Sequence, residues 1–277
     1  MISDSIHIPI LVVSCDNYSD IWRPFFEIFR KKWPDCPYNV YLGSNYEKYD
    51  GDDVTTICVG ADVDWASNLH HMLDKIDSDR VIMFLEDFLL IRNVDTVDVQ
   101  GMVNIAVHND VDCLRLKPSP PPPSRRCQEF NNLGVISAGE DYRISTQVAI
   151  WKTDLLRKIA MPGFSAWDFE VYGSLLSERL PGKYWGVYEP IIDYRHCLER
   201  GRWLEEGLTI CRQSRVNVDL NHRDILTKTQ KLFLRQQEST RWRSILKRLM
   251  PGVVSRRLHR WYRNKKLADI IKTRTVH

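Results

Sequence analysis

The sequence contains no Cys-x-x-Cys pair, no apolar run approaching membrane-spanning length, no visible internal repeat and no G-x-G-x-x-G loop near its first apolar segment. Its seven cysteines (15, 36, 58, 113, 127, 197 and 211) are odd in number and scattered. That excludes a disulfide framework or a cysteine zinc site and points to reduced thiols in a cytoplasmic protein. The first five residues offer no basic n-region, and the apolar segment from Ile8 to Val13 is strand-length, too short for a signal peptide or a membrane span. A soluble chain is expected. What is present fits a globular protein: 277 residues with 43% hydrophobic composition, enough for one large domain or two small ones.

The stretch around which the rest is organised is Arg80-Val81-Ile82-Met83-Phe84-Leu85-Glu86-Asp87-Phe88. An uninterrupted apolar run of this length is the pattern of a strand buried on both faces of a mostly parallel sheet. It ends on two carboxylates, Glu86 and Asp87. Open α/β sheets bind ligands at the carboxyl ends of their strands, where a carboxylate pair is placed to hold a metal ion or a polar ligand. The alternative for the dipeptide alone is a pair of solvated turn residues.

Taken in order, Ile8 to Val13 reads as a buried strand, and Ser19 or Asp20 can cap a helix carrying Trp22, Phe25, Phe26, Phe29 and Trp33. Pro34 stops that helix. Tyr38 to Leu42 and Val54 to Val59 read as strands. Asp64 caps a helix with Trp65, Leu69, Met72, Leu73 and Ile76 on one face, leading into the 81–85 strand. This β-α-β-β-α-β order predicts an α/β layered domain. A helix over about 95–108, strands over 111–116 and 142–151, and a helix opening at Thr153 follow. The run Pro118-Ser119-Pro120-Pro121-Pro122-Pro123 predicts an extended loop. Ser165 with Asp168 matches a capping box opening a helix to about Leu180. A strand is expected over 185–194, broken at Glu189-Pro190, and a polar helix from Gly201.

Charge is unevenly distributed. Residues 241–277 carry twelve Lys and Arg against one acid, a net of +11, while the other 240 residues are net −8. The boundary is drawn between a domain over 1–225 and a tail over 226–277. Tail aromatics and aliphatics interleave with the bases, and Pro251-Gly252 divides it into two amphipathic helices. Basic amphipathic helices suit an anionic membrane surface. Competing readings are a nucleic-acid arm and a helical pair packed on the body. No DNA or RNA recognition motif is present, so no nucleic-acid partner is expected.

Through Trp65-Ala66-Ser67-Asn68-Leu69 and the 80–88 stretch, the chain resembles the GT-A-fold, family-2-like glycosyltransferases of bacterial surface-polysaccharide (O-antigen or capsule) type. In those enzymes a small-residue-Arg-Asn helix precedes a strand ending in Asp-x-Asp or Asp-Asp. Here Asn68 matches, Ser67 replaces the Arg, and the signature is reduced to Glu86-Asp87. Gln147-Val148-Ala149-Ile150-Trp151-Lys152 and Ser165-Ala166-Trp167-Asp168-Phe169-Glu170 continue the resemblance, which covers about 8–205.

The resemblance implies a GT-A (Rossmann-like) domain transferring a sugar from a nucleotide-diphosphate donor to a lipid-linked or oligosaccharide acceptor. It implies an inverting reaction with a carboxylate base, Glu170, with Asp168 as the alternative. The implied donor residues are Ser14, Asp16, Asn45 (or Ser44), Asn68, Glu86 and Asp87. Trp151 and Trp167 would stack on the acceptor, the alternative for either being a place in the core. Asp87, Glu86 and His196 would hold Mn²⁺ or Mg²⁺, or Arg and Lys would neutralise the diphosphate instead. The tail would place the enzyme peripherally on the inner membrane. A non-catalytic, membrane-associated scaffold or glycan-binding subunit is the rival reading. A nucleotidyltransferase ranks below both because the glycine-rich loop is missing.

Overall fold

The structure, a computed structural model, describes residues 6, 8–123, 126–127, 129–227, 229–231 and 264–272. The first strand, β1 (Ile10–Val13), is buried at every position and leads through a 3₁₀ turn, Asp16–Tyr18, into α1 (Ser19–Lys32). Neither Ser19 nor Asp20 caps that helix. The 3₁₀ turn sets the entry first, with the Tyr18 N–H donating to the Cys15 carbonyl, and Tyr18 takes the cap position without a side-chain bond. The aromatic face behaves as its spacing predicts: Trp22, Phe25, Phe26 and Phe29 are buried, and the rings of Phe25 and Phe29 meet Phe84 edge-on.

Next come β2 (Val40–Ser44), β3 (Val54–Cys58), α2 (Trp65–Leu73) and β4 (Arg80–Leu85). The second strand continues past Leu42 to Ser44, because Gly43 and Ser44 pair with Ile57 and Cys58. Asp64 caps α2 as expected, its carboxylate accepting from the Ser67 N–H at 2.9 Å. The chain then forms β5 (Phe88–Leu90), α3 (Thr96–His108), β6 (Cys113–Arg115), β7 (Arg126–Cys127), β8 (Phe130–Val135) and β9 (Ala149–Lys152). It continues with α4 (Thr153–Ile159), α5 (Ala166–Ser177), β10 (Tyr184–Val187), β11 (Tyr194–His196), β12 (Leu198–Glu199), β13 (Arg202–Leu204) and α6 (Glu205–Gln213).

Nine strands form one sheet in the order β3-β2-β1-β4-β9-β6-β10-β8-β7. The pairings β3–β2, β2–β1, β1–β4 and β6–β10 are parallel, and only β9 and β8 run against the rest. The expected α/β layered domain on a mostly parallel, mixed sheet is therefore present. Because β9 is antiparallel to β4, the residues entering β9 arrive beside those leaving β4, and Met83 pairs with Ala149.

Three expectations are corrected. The strand over 142–151 is reduced to Ala149–Lys152, since side chains take up the backbone groups before it: Arg115 donates to the carbonyls of Tyr142 and Arg143, and Glu170 accepts the Thr146 N–H. The strand over 185–194 breaks at Glu189-Pro190 as expected, but its second part starts only at Tyr194, as β11, which pairs antiparallel with β5, a strand the sequence did not suggest. Gly201-Arg202-Trp203 opens a hairpin instead of a helix. Arg200 and Gly201 both have positive φ (53° and 72°), as a two-residue hairpin turn requires, and α6 starts only at Glu205. The proline run is a loop, bent at Ser119 and Pro120, and is held to the body, with Arg115 donating to the Pro120 carbonyl and Tyr188 to that of Pro123.

The chain divides into two units, Met1–Asp224 and Ile225–His277. Most of the basic tail lies outside the described residues; within it, residues 264–272 form a helix. Among the described residues no helix is long and apolar enough to cross a membrane.

Candidate active site

The carboxyl ends of β1, β2 and β4, the N-terminal turns of α2 and α5, and the approach to β9 meet at one edge of the sheet, linked by the Ala66 N–H donating to the Phe164 carbonyl. Every residue singled out above for chemistry, except Trp151, falls at or near this edge. They do not all face it in the same way.

At the β1–β3 end the polar side chains bond mostly to the backbone around them. Asp16 accepts the backbone N–H groups of Asn45 (2.8 Å), Tyr46 (3.0 Å) and Glu47 (3.3 Å). Asn45 accepts the Asp16 N–H and donates to the Gly60 carbonyl at 3.0 Å. Ser14 accepts the Trp22 indole N–H at 2.7 Å, and Ser44 donates to the Glu47 carbonyl at 2.7 Å. These groups fix the loops that end the strands. Asn68 is buried in α2; its amide donates to Asp62 at 2.6 Å, while its carbonyl oxygen is buried without a partner.

After β4 the two carboxylates part company. Glu86 is only 8% exposed, and burial, reinforced by the neighbouring Asp87 charge, pushes its pKa up to about 8. Its charge also bears on Cys15, whose thiol is pushed up to about 11, by burial first and then by Glu86, and on Tyr18. The cation on this side is Arg223, which pairs with Asp20 at 2.8 Å, donates to the carbonyls of Asn17 and Gly201, and lies over the Tyr18 ring at 4.5 Å. Asp87 turns the other way, to His196, with Oδ2 and Nδ1 3.4 Å apart. The β5–β11 ladder sets that contact: His196 pairs with Phe88, and the Cys197 N–H donates to the Asp87 carbonyl at 2.8 Å.

Asp87 and His196 could offer a cation one oxygen and one nitrogen. Among the described residues there is no group of three His, Cys, Asp or Glu able to hold a metal ion. A divalent cation held there would need its remaining ligands from phosphate oxygens and water; the Asp87 carboxylate suits Mg²⁺ or Mn²⁺, whereas the His196 imidazole is a poor ligand for Mg²⁺.

Across the edge, Glu170 in the second turn of α5 accepts the Thr146 N–H (2.8 Å) and hydroxyl (2.9 Å), both on Oε1; Oε2 enters no hydrogen bond among the described residues. Asp168 closes the predicted capping box, accepting from the Ser165 N–H and hydroxyl. Trp167, one residue earlier, is 70% exposed. Trp151 is fully buried and packs on Phe169, so the expectation that it stacks on an acceptor is corrected: as a β9 residue its ring points into the core.

Sequence reasoning passed over Tyr194, Thr146, Lys117 and Arg223. A signal for Tyr194 existed. In a strand, residues two apart share a face, so a His196 turned toward Asp87 brings Tyr194 to the same side. Thr146 and Arg223 left no signal, because their partners are 24 and more than 200 residues away.

No protein-family model matches this chain, and no curated protein matches it. Among solved structures it is similar to residues 1–349 of S. aureus TarS (10% identity, TM-score 0.48, covering 78% of this chain and 67% of that one). It is also similar to the 2-C-methyl-D-erythritol 4-phosphate cytidylyltransferase of Thermus thermophilus (13% identity, TM-score 0.46, 76% and 100%) and to HddC of Yersinia pseudotuberculosis (12% identity, TM-score 0.43, 75% and 98%). The match spans 41% of the longer TarS chain. With scores below 0.5, none of these likenesses decides what this chain does. The α/β layered class rests on its own strand order.

Proposed function

We propose that this chain is a GT-A-type glycosyltransferase that moves a sugar from a nucleotide diphosphate to a hydroxyl of a glycan acceptor. The observation that carries the proposal is the convergence, at one edge of a mostly parallel sheet, of the Asp87–His196 pair with a second carboxylate, Glu170, that keeps one oxygen unspent. In this reading Glu170 Oε2 takes the proton of the acceptor hydroxyl. The hydroxyl oxygen bonds to the anomeric carbon as the bond from that carbon to the diphosphate oxygen breaks, and the electron pair leaves with the diphosphate. Attack opposite the leaving group inverts the anomeric centre. Asp87 and His196 would hold Mn²⁺ or Mg²⁺, whose charge would make the diphosphate a better leaving group. Trp167, exposed next to Asp168, offers a flat apolar face to a sugar ring. Asp168 itself is committed to the helix cap.

The wider assignment belongs to the same proposal: a cytoplasmic enzyme of bacterial surface-polysaccharide assembly, held on the inner membrane by its +11 tail and acting on a lipid-linked acceptor. Removing 241–277 should then abolish vesicle binding and lower transfer to lipid-linked acceptor. Unchanged partitioning would remove the membrane part.

One observation favours the rival reading of a non-catalytic glycan-binding subunit. Asp16 and Asn45, implied donor residues, already spend their bonds on the backbone around them. The deciding experiment is thermal stability against UDP, GDP, dTDP and CMP, each with and without Mn²⁺ or Mg²⁺. A ligand that binds only the folded chain raises its stability by RT ln(1 + [L]/Kd). The transferase reading expects a shift with one nucleotide, dependent on metal and lost in Asp87→Ala. No shift with any nucleotide would leave the non-catalytic subunit as the better account.

A further inference from the structure

One buried side chain joins the two halves of this centre. The ring of Tyr194 is fully buried on β11 and stacks on Phe88, the residue after Asp87, with centroids 4.4 Å apart and planes at 16°. Two residues on, His196 meets the same Phe88 edge-on at 4.7 Å. The Tyr194 hydroxyl reaches across to the approach to β9, donating to Gln147 Oε1 at 2.6 Å and accepting the Val148 N–H at 3.1 Å. The preceding residue there, Thr146, holds Glu170 through both its N–H and its hydroxyl.

The arrangement is heavily supported. Lys117 lies over the Tyr194 ring at 4.3 Å and donates to its carbonyl and to Asp193. Arg115 fixes the start of the same approach through the carbonyls of Tyr142 and Arg143. The β9 ladder starts only at Ala149; just before it the Val148 carbonyl accepts the Leu116 N–H at 2.9 Å, and the Tyr194 hydroxyl holds the Val148 N–H on the other side.

We propose that Tyr194 is a positioning residue: it sets the height of the 146–148 segment, and through Thr146 the placement of Glu170, relative to the Asp87–His196 pair. The inference rests on the transferase reading for its consequence in turnover, but the mechanical link can be tested without it. Tyr194→Phe keeps the ring stack and removes only the hydroxyl, leaving the Gln147 carbonyl and the Val148 N–H without their partner.

The first readout is amide hydrogen exchange on the full chain. Among the described residues Thr146 shares no hydrogen bond with Tyr194, and its N–H is held by Glu170. In Tyr194→Phe its exchange should accelerate by about tenfold or more, while the Cys197 amide, bonded to the Asp87 carbonyl, stays within about twofold. Unchanged protection at Thr146 overturns the proposal, and so does equal loosening at Cys197, which would mean general softening. The second readout uses the nucleotide-sugar whose nucleotide shifts the melting temperature. The expectation is a kcat about tenfold or more lower with donor KM within about twofold, since the Asp87 side is left in place. Thr146→Val, which removes one bond to Glu170 and leaves Tyr194 intact, should reproduce that split, and the double variant should be no worse than the worse single. An unchanged kcat, or fully multiplicative losses, counts against the link. If Thr146 opens as expected while no nucleotide binds, the positioning link stands and the transferase reading falls.

Discussion

At the β1–β3 end of the sheet edge, Asp16, Asn45, Ser14 and Ser44 bond to the chain around them; at the β4–β9 end, His196 and Trp167 are exposed and Glu170 keeps an unspent oxygen. Carboxylates occur in both regions, so a carboxylate by itself does not tell them apart. What separates them is how fully the neighbouring donors occupy each side chain. The loops after β1 and β2 present free N–H groups that a carboxylate or amide can cap. Glu170 on α5 meets free donors too, but Thr146 gives both of its donors to a single carboxylate oxygen, and His196 and Trp167 are exposed, so part of this region's bonding capacity is left for something else. Substitutions in the first region should therefore act on stability and in the second on ligand binding or turnover.

The sharpest break of that comparison is Glu170→Gln. The amide oxygen can still accept from Thr146, so the melting temperature should hardly move, while transfer falls by about 10²–10⁴-fold with loss of the base. Turnover kinetics beside a melting curve test this, and full activity in the variant would remove Glu170 as the base.

Next in size is the buried carboxyl between the two regions. The Glu86 pKa rises on folding from 4.5 to about 8, so across that interval the folded chain binds a proton that the unfolded chain has released. Its contribution is fully present below pH 4.5 and is lost as pH rises towards 8, at up to about 1.4 kcal/mol per pH unit. Denaturant titrations between pH 5 and pH 8 should show a steeper decline for the wild type than for Glu86→Gln; parallel curves would mean that Glu86 ionises in the folded chain as it does in the unfolded one.

Asp16→Ala should cost about 2 kcal/mol, because the N–H groups of Asn45, Tyr46 and Glu47 lose a charged acceptor. Any loss of nucleotide binding should be no greater than the loss of folded protein explains. A variant of normal stability that no longer binds nucleotide would move Asp16 into the second region. The smallest structural effect belongs to Trp167→Ala, with stability within about 0.5 kcal/mol for so exposed a side chain and a raised acceptor KM. An unaltered acceptor KM would leave that aromatic without a role in acceptor binding.

Much of the fold was legible in the residues. The aromatic spacing of α1, the Asp64 cap, the buried 81–85 run and the Ser165–Asp168 capping box are local features, written in neighbours three or four positions apart. The errors came where partners are distant. Tyr142 to Val148 has strand-like composition, yet Arg115, Glu170 and Tyr194 take backbone groups along it, and the neighbouring strand is met only at its end, where the Val148 carbonyl accepts from Leu116. The segment from Gly201 looked helical, but the two positive φ angles at Arg200 and Gly201 turn it into a hairpin.

The candidate site divides along the same line. That Glu86 and Asp87 end a buried strand follows from the apolar run alone, because a continuous run of that length has to be covered on both faces. Which carboxylate turns inward and which meets His196, whether Asp16 is free or spent, and that Trp151 is core while Trp167 is exposed were decided only by the tertiary structure. Those outcomes depend on which backbone donors and apolar surfaces arrive from strands and helices tens to hundreds of residues away, and composition and spacing carry no record of that.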